Sequence, residues 1–503
     1  MELQISFSLL FFVASIFFLF FKSHRSSNSL NTTTKLPPQP WKLPLIGHMH
    51  HLTGALPHRA LANLAEKLGP VFRLQLGEVS AVVISSSHLA KEVMKTHDLS
   101  FADRPKLLSA EIVAYNYKDI AFAPYGEYWR QIRKICTLEL LSVKKVQSFR
   151  SIREQESWNL IESMAMAMQT SKIINLSEKT FTLLNSIIYR VAVGSRCNDQ
   201  ETLTALLEEV IVLSGGFDVA DVFPSVKVLH VVSGVRSKLV KLHMKIDQIL
   251  DNIVAEHQER RKGGHIIDNE DLVDVLLRLK DDGGLQFPLT SDNVKAVILD
   301  MFAGGTHTSA VTIQWAMSEL MKNPQVMKKV QTELRHVLKG KNKICESDIQ
   351  ELNYLKLVIK ETLRLHPPLP LLLPRESRVE CEIGGYHIPA NTKVMINVWK
   401  IGCDPDYWID PKSFIPERFS DIPINMSGTD FEFLPFGAGR RMCPGMNLGL
   451  INVELPLAML LHHFNWELPD GTTSEDLDMS ETFGASLKRK HELLLVPSVC
   501  NTN

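Results

Sequence analysis

The sequence predicts a single large α+β body, mainly helical with small peripheral β-sheets, behind an N-terminal transmembrane helix. Three features lead there. Long stretches carry apolar residues at i, i+3 and i+4, the spacing of one buried helix face. Alternating apolar stretches are few and short, and nothing repeats at a fixed period. Leu3 to Phe21 carries no charge and is rich in Phe, Leu and Ile.

In chain order, the first element is that apolar run, whose 19 residues would span roughly 28 Å as a helix, about one hydrocarbon core. Lys22, His24 and Arg25 follow directly, Lys35 and Lys42 lie further on, and only Glu2 precedes. Positive-inside logic then leaves everything after residue 22 in the cytosol. The competing reading is a cleaved secretory signal. Against it stand the length of the run, the lack of a small-x-small cleavage site and the lack of a preceding basic residue. Residues 1–22 are read as a membrane anchor and residues 23–44 as a polar tether and proline-rich hinge. The tether is rich in Ser, Asn and Thr, and Pro37, Pro38, Pro40 and Pro44 stiffen the hinge.

Residues 45–503 read as the body. Val71 to Leu76 and Ala81 to Ile84, with Gly77 and Glu78 between them, predict a β-hairpin. Helical spacing marks segments near 125–146, 151–170, 177–193, 201–214, 233–261, 292–322, 324–339 and 347–365. Short strands are expected again near 381–397, with Gly384 and Gly385 supplying a turn, and near 492–497.

Composition narrows the function. With 503 residues and 45% hydrophobic content, the chain buries a large core without covalent staples. Its 55 basic and 56 acidic side chains nearly cancel, so no global field favours a polyanion and no nucleic-acid partner is expected. The seven cysteines, at 136, 197, 345, 381, 403, 443 and 500, are scattered and form no Cys-x-x-Cys pair. That usage argues against a disulfide framework or a zinc knuckle and fits a reducing compartment.

One cysteine stands apart. Phe436-Gly437-Ala438-Gly439-Arg440-Arg441-Met442-Cys443-Pro444-Gly445 leads into an apolar helix running to about Phe464. Gly437 and Gly439 permit tight turns and close approach of backbone to a flat ligand. Pro444 suits a first helical position, which would set Cys443 at a helix N-terminus, where the dipole favours a thiolate. A dinucleotide loop is excluded, because Met442 stands where the third glycine of that motif belongs.

Three other constellations accompany it. Glu361 and Arg364 share a helical face just before Pro367, and Pro416-Glu417-Arg418-Phe419 follows about fifty residues on. Taken alone, such an ion pair is a solvated surface contact. Trp129 and Arg133 open a predicted helix one turn apart. Ala303, Gly304, Gly305, Thr306, His307 and Thr308 interrupt the long apolar helix near 292–322, where each glycine costs up to about 1 kcal/mol and calls for a packing or functional reason.

Together these residues resemble the cytochrome P-450 superfamily. Phe436, Gly439, Arg441, Cys443 and Gly445 match F-x-x-G-x-R-x-C-x-G, and the similarity runs over residues 37–503 with the elements in family order. Lys42 to His48, Phe101 to Pro105 and Leu365 to Arg375 look like the plant microsomal clan of limonene, sesquiterpene and casbene-type diterpene oxidases. The resemblance implies the cytochrome P-450 fold and a haem-thiolate catalytic domain over 45–503 carrying haem b. Cys443 would be the axial iron ligand, pushing electron density that favours O–O cleavage. Phe436, Gly437, Gly439 and Gly445 would shape its loop, and Arg441, Trp129, Arg133 and Arg375 would meet the haem propionates. Glu361, Arg364 and Arg418 would form a buried structural charge network. Gly304 and Gly305 would open space over the iron, and the Thr308 hydroxyl would direct protons to bound O2. His307 departs from the pattern, standing where the family has an acid. Imidazole titrates near neutrality and relays protons through water, so monooxygenation is the expected chemistry.

Electrons would come from NADPH through the flavoprotein NADPH-cytochrome P-450 reductase, docked on a basic face of Arg130, Lys134, Lys144 and Lys145. A monomer is expected, single-pass in the endoplasmic reticulum membrane with its catalytic domain facing the cytosol. Family substrate-contact regions bring in Leu107, Leu108, Ile112, Val113, Ala303, Leu369, Leu373 and Phe483, an apolar set suited to a small hydrophobic substrate. The reading is hydroxylation or epoxidation of a sesquiterpene or diterpene. Two alternatives stay open: a plant alkaloid or phenolic as substrate, and a reductant-independent haem isomerase or dehydratase.

Overall fold

In the computed structural model the described residues are 35–500, apart from 195–198, 216–218, 264–269, 342, 422, 470 and 485. The expected anchor and most of the tether lie outside them, and among the described residues no helix is long and apolar enough to cross a membrane. The proline-rich stretch is tied to the body rather than free of it. Arg73 N donates to Pro38 O at 2.8 Å, and buried His48 joins Pro40 O to Gln75 N.

Helix α1 (Pro57–Leu68), with proline in its first turn, precedes strands β1 (Val71–Leu76) and β2 (Val79–Ile84). These two pair antiparallel from Val71 opposite Ile84 to Leu76 opposite Val79, with Gly77 taking the positive φ their turn needs. Then come α2 (Leu108–Val113), α3 (Glu127–Ile135), α4 (Arg150–Ala167), β3 (Ile174–Asn175), α5 (Leu176–Val193), α6 (Gln200–Leu213), α7 (Val235–Lys262) and α8 (Leu272–Asp282). The central pair α9 (Ser291–Gly305) and α10 (His307–Lys322) is followed by α11 (Pro324–Val337) and α12 (Asn353–Leu365). Strands β4 (Arg375–Glu376), β5 (Cys381–Ile383), β6 (Tyr386–Ile388) and β7 (Lys393–Ile396) lead to α13 (Met446–His463). Beyond it lie β8 (Phe464–Glu467), β9 (Glu481–Phe483), β10 (Leu487–Arg489) and β11 (Leu494–Val499).

The main sheet runs β1-β2-β7-β4, with β2 and β7 parallel, while β9 and β10 form a separate hairpin. The core lies where α4, α5, α9, α10 and α13 pack on one another, and α10 is buried all round, down to Trp315.

Three expected helices are broken, the one near 347–365 dividing at Leu352 into a 3-10 turn over Asp348–Glu351 and α12. The segment near 125–146 gives α3, a wider π turn over Cys136–Leu140, and a short helix Val143–Ser148 that Ser142 caps. The segment near 292–322 breaks at Thr306, where paired glycines weaken the helix and Thr308 Oγ1 donates to Gly304 O at 2.6 Å.

At the end of α12 the three charged residues meet. Arg364 Nε and Nη2 donate to the two Glu361 oxygens at 2.7 Å each, and Arg418 Nε adds a third bond at 2.9 Å. Arg364 Nη1 donates onward to the carbonyls of Gly402 and Pro411 at 2.6 Å. Glu361 and the Arg364 side chain are wholly buried, so the pair belongs to the core and not to the surface. Replacing Glu361 by Ala leaves two guanidiniums without their shared anion. It is expected to lower stability by roughly 3–5 kcal/mol, read by thermal or urea denaturation; a melting curve matching the parent protein would contradict this.

Candidate active site

A cavity of about 480 Å³ opens between α9, α10, the start of α13 and the segments around residues 104–123 and 368–375. The loop before α13 brings Cys443 to it. Gly437 and Gly439 both hold positive φ, and Cys443 N donates to Phe436 O at 3.0 Å. At Gly439 a Cβ would lie 2.1 Å from Met94 O, so backbone approach excludes any side chain there. Phe436, Gly437 and Gly445 line the cavity with Cys443. The helix begins later than the sequence predicts: Gly445 is its cap and Met446 its first residue, so Pro444 lies outside it. Cys443 is exposed to the cavity yet deep in the body, and burial pushes its thiol up, opposed by the Gly445 N–H and Arg133. The expected lowering by a helix terminus is thus outweighed while the sulfur carries a proton.

Beside the thiol, Arg104, Arg133, Arg375 and Arg441 reach the same cavity. Arg441 donates to the carbonyls of Ala102 at 2.7 Å, Ile120 at 3.3 Å and Ala123 at 2.6 Å, and lies over the Trp129 ring. Burial, then the Arg375 charge, press it down to about 10. Arg104, which the sequence reading missed, donates to the carbonyls of Ala121, Leu373 and Pro374, and burial holds it well below its ordinary value. Arg375 pairs with Asp98 at 2.9 Å and donates to Ala438 O at 2.7 Å. Trp129 is already engaged, its indole N–H donating to Ile120 O at 3.0 Å, so it braces the arginines rather than offering a free donor.

Two further residues that sequence reasoning missed line the same cavity. Asp300, on α9, accepts from Ile120 N at 2.6 Å, and Asp119 accepts from Phe122 N. Burial pushes Asp119 up to about 7, and it raises Asp300 further still, with the Asp119 charge adding to the effect. An acid one turn before the glycine pair was the available signal.

From the helix pair, Ala303, Gly304, Gly305, His307 and Thr308 line the cavity. The two glycines differ in reason: a Cβ at Gly304 meets nothing within 4 Å, whereas one at Gly305 would lie 2.6 Å from the Ile188 side chain. Only Gly304 opens space. His307 Nδ1 lies 2.6 Å from Ser486 Oγ, and burial holds the imidazole down to about 4, so it is neutral at ordinary pH. Of the expected substrate contacts, Leu107, Val113, Ala303, Leu369 and Leu373 line the cavity. Leu108 and Ile112 do not: they turn from it to pack in the main core, while Ala110 and Val113 face it from the same helix. The Phe483 side chain lies outside the described residues, although Gly484 and Ser486 beside it line the cavity.

The family model described as Cytochrome P450 matches residues 37–496. The chain belongs to the cytochrome P450 family. This P450 is similar to the germacrene A hydroxylase of Barnadesia spinosa, 55% identical with 100% of this chain and 99% of that protein covered. It is likewise similar to the amorpha-4,11-diene 12-monooxygenase of Artemisia annua, 55% identical with 97% of this chain and 96% of that protein covered. A zebrafish cytochrome P450 solved with progesterone shares its fold at a TM-score of 0.76 and 25% identity, covering 89% of this chain and 100% of that one. The P450 is a haem-thiolate monooxygenase.

The residues present fit the haem that the family implies. A thiol opens onto the cavity, and Arg104 and Arg441 bring buried positive charge whose bonds, among the described residues, go to backbone carbonyls. That excess suits the two carboxylates of a porphyrin edge. Asp300→Leu would leave the Ile120 amide without its acceptor and loosen the 119–123 segment that seats Arg441 and Arg104. It is expected to weaken haem retention and cost roughly 1–3 kcal/mol, while Asp300→Asn, which keeps an acceptor, holds both. Haem-to-protein absorbance and melting measurements check this.

Proposed function

We propose that this P450 oxidises a sesquiterpene or a similar small terpenoid, by hydroxylation or epoxidation, with Cys443 as the thiolate ligand of haem b. The observation that carries the reading is a thiol opening into an apolar cavity edged by buried guanidiniums. Relatives at 54–56% identity, named for germacrene A, amorpha-4,11-diene and premnaspirodiene, supply the substrate class. Bound haem supplies the iron at which O2 is activated. The chain's own residues do the rest. Arg441, Arg375, Arg133 and Arg104 orient the propionate edge, with Trp129 as brace. Leu107, Val113, Leu369 and Leu373 take up the hydrocarbon and exclude water. Gly304 leaves room beside the reacting centre, and Thr308 lines the cavity with a hydroxyl whose proton is held on Gly304 O.

Residues 1–22 form the single-pass endoplasmic reticulum anchor in this proposal, and residues 45–503 the cytosolic catalytic domain, active as a monomer. Electrons enter from NADPH through the reductase. Lys134 and Lys144 stand exposed for its docking, whereas Lys145 donates to Glu270 O at 2.5 Å and Arg130 lies 3.6 Å from Glu127.

Microsomes containing the P450 and reductase, fed a panel of sesquiterpenes and diterpenes, are expected to yield products one oxygen atom heavier only when NADPH is present. Mass spectrometry reads the outcome, and product formed without NADPH would reject monooxygenation in favour of isomerase or dehydratase chemistry. Thr308→Ala is expected to keep the reduced carbon monoxide spectrum, release peroxide and lose product roughly tenfold or more. Tightly coupled turnover in that variant would remove Thr308 from the mechanism.

A further inference from the structure

The imidazole that replaces the family acid points at another element of the fold. His307 is the first residue of α10, and its Nδ1 meets the hydroxyl of Ser486 at 2.6 Å. Both side chains are buried, at 8% and 6% exposure, and both line the cavity. Thr308 takes no part in this contact, its hydroxyl donating to Gly304 O.

The hairpin that carries Ser486 is held hard at its base. Glu481 and Arg489 face each other in register across β9 and β10. Glu481 accepts from Arg59 at 2.8 Å, with His58 3.4 Å away. Arg489 donates to Ser318 Oγ at 2.8 Å and to Asp478 O at 2.7 Å, its guanidinium lying over Trp315. Leu487 is tied on both sides, its N–H to Pro368 O at 2.8 Å and its carbonyl to the Trp315 indole at 3.3 Å. Among the described residues, Gly484 and Ser486, nearer the apex, are the hairpin residues that face substrate space. The bond to His307 joins that apex to the helix carrying Thr308. The Phe181 ring stands steeply to the imidazole, at 78° with ring centroids 6.0 Å apart.

We propose that His307 is a positioning residue: its bond to Ser486 sets the distance between the β9–β10 hairpin and the start of α10, and so selects which carbon of the substrate is presented for oxidation. This rests on the proposed terpenoid monooxygenation. The imidazole is neutral here, as its burial requires, so it offers Ser486 one donor and one acceptor nitrogen and places no charge beside a hydrocarbon. Ser486 is then a specificity-determining partner, and the proton path to O2 runs through Thr308 and water without His307.

Three variants test it: Ser486→Ala, His307→Gln and His307→Asn. Asparagine keeps a polar atom where Nδ1 lies, whereas glutamine moves it one bond further out. Ser486→Ala and His307→Gln are expected to change the ratio of oxidation products and to weaken the substrate-induced haem absorbance change by roughly three- to tenfold, the loss of one buried hydrogen bond. Peroxide released per NADPH stays at the parent level, His307→Asn restores the product ratio, and the double Ser486→Ala, His307→Gln variant is no worse than either single one. Hydrogen exchange at the Ser486 and Leu487 amides, measured without substrate or NADPH, rises in Ser486→Ala and His307→Gln. Raised peroxide with an unchanged product ratio would overturn the proposal in favour of proton relay. Unchanged exchange in Ser486→Ala would also overturn it. Should the parent protein oxidise no terpene, the functional reading fails, and the exchange measurement still judges the latch by itself.

Discussion

Arg441 and Arg104 carry charge into the protein interior, and among the described residues neither has a carboxylate within ion-pair distance, Asp119 acting on both only from further off. Their guanidinium groups are satisfied by backbone carbonyls of Ala102, Ile120, Ala121 and Ala123 on one segment and of Leu373 and Pro374 on another. Carbonyl dipoles hold the charge in place but do not neutralise it. The edge of the cavity is therefore built for an anion, and the segments that supply those carbonyls have little freedom to move. Asp300 fixes the first segment from α9 through the Ile120 amide, which couples the helix carrying the glycine pair to the arginine edge. Asp98 does the same for the cysteine loop, accepting from Arg375 and from the Arg440 amide.

The same economy of space governs the loop and the central helix. Gly439 is required because Met94 O, a backbone atom, occupies the position a Cβ would take, whereas at Gly305 a Cβ would press on the movable end of the Ile188 side chain. Neither opens onto substrate space for its own sake. Gly304 is the exception, and its missing Cβ and the helix break at Thr306 accompany a Thr308 that lines the cavity with its hydroxyl donating to Gly304 O. The chemistry of the site thus depends on one open position among several closed ones.

Much of this was legible in the chain. The β1–β2 hairpin, the long helices around 151–170, 177–193 and 233–261, and the cysteine loop follow from periodicity and from glycine placement, which are local properties. Breaks and small elements were less visible. The π turn after Ile135 needs a fifth-residue bond that apolar spacing does not encode, and α8 is only eleven residues with an Asp271–Asp274 capping box in place of the usual Glu. In the site, Arg104, Asp300 and Ser486 were not found as site residues, Arg104 even though it lies in the Phe101–Pro105 stretch, because each acquires a partner from a segment far along the chain; Asp119 bonds locally to Phe122 N, and only burial sets it apart.

By itself the sequence determined which chemistry was possible: a lone cysteine in a glycine-bounded turn, arginines at set spacings, and a Gly-Gly-x-His-Thr interruption of an apolar helix are covalent facts that no packing alters. Tertiary structure decided which of those groups face one another. It directed Leu108 and Ile112 into the core and Val113 to the cavity, gave the Trp129 indole to Ile120, and set the His307 imidazole against Ser486. The reason is physical. Identity and spacing reside in covalent connectivity, while hydrogen-bond partnership, burial and the pKa shifts they cause depend on contacts between residues as far apart as 307 and 486, which exist only once the chain has folded.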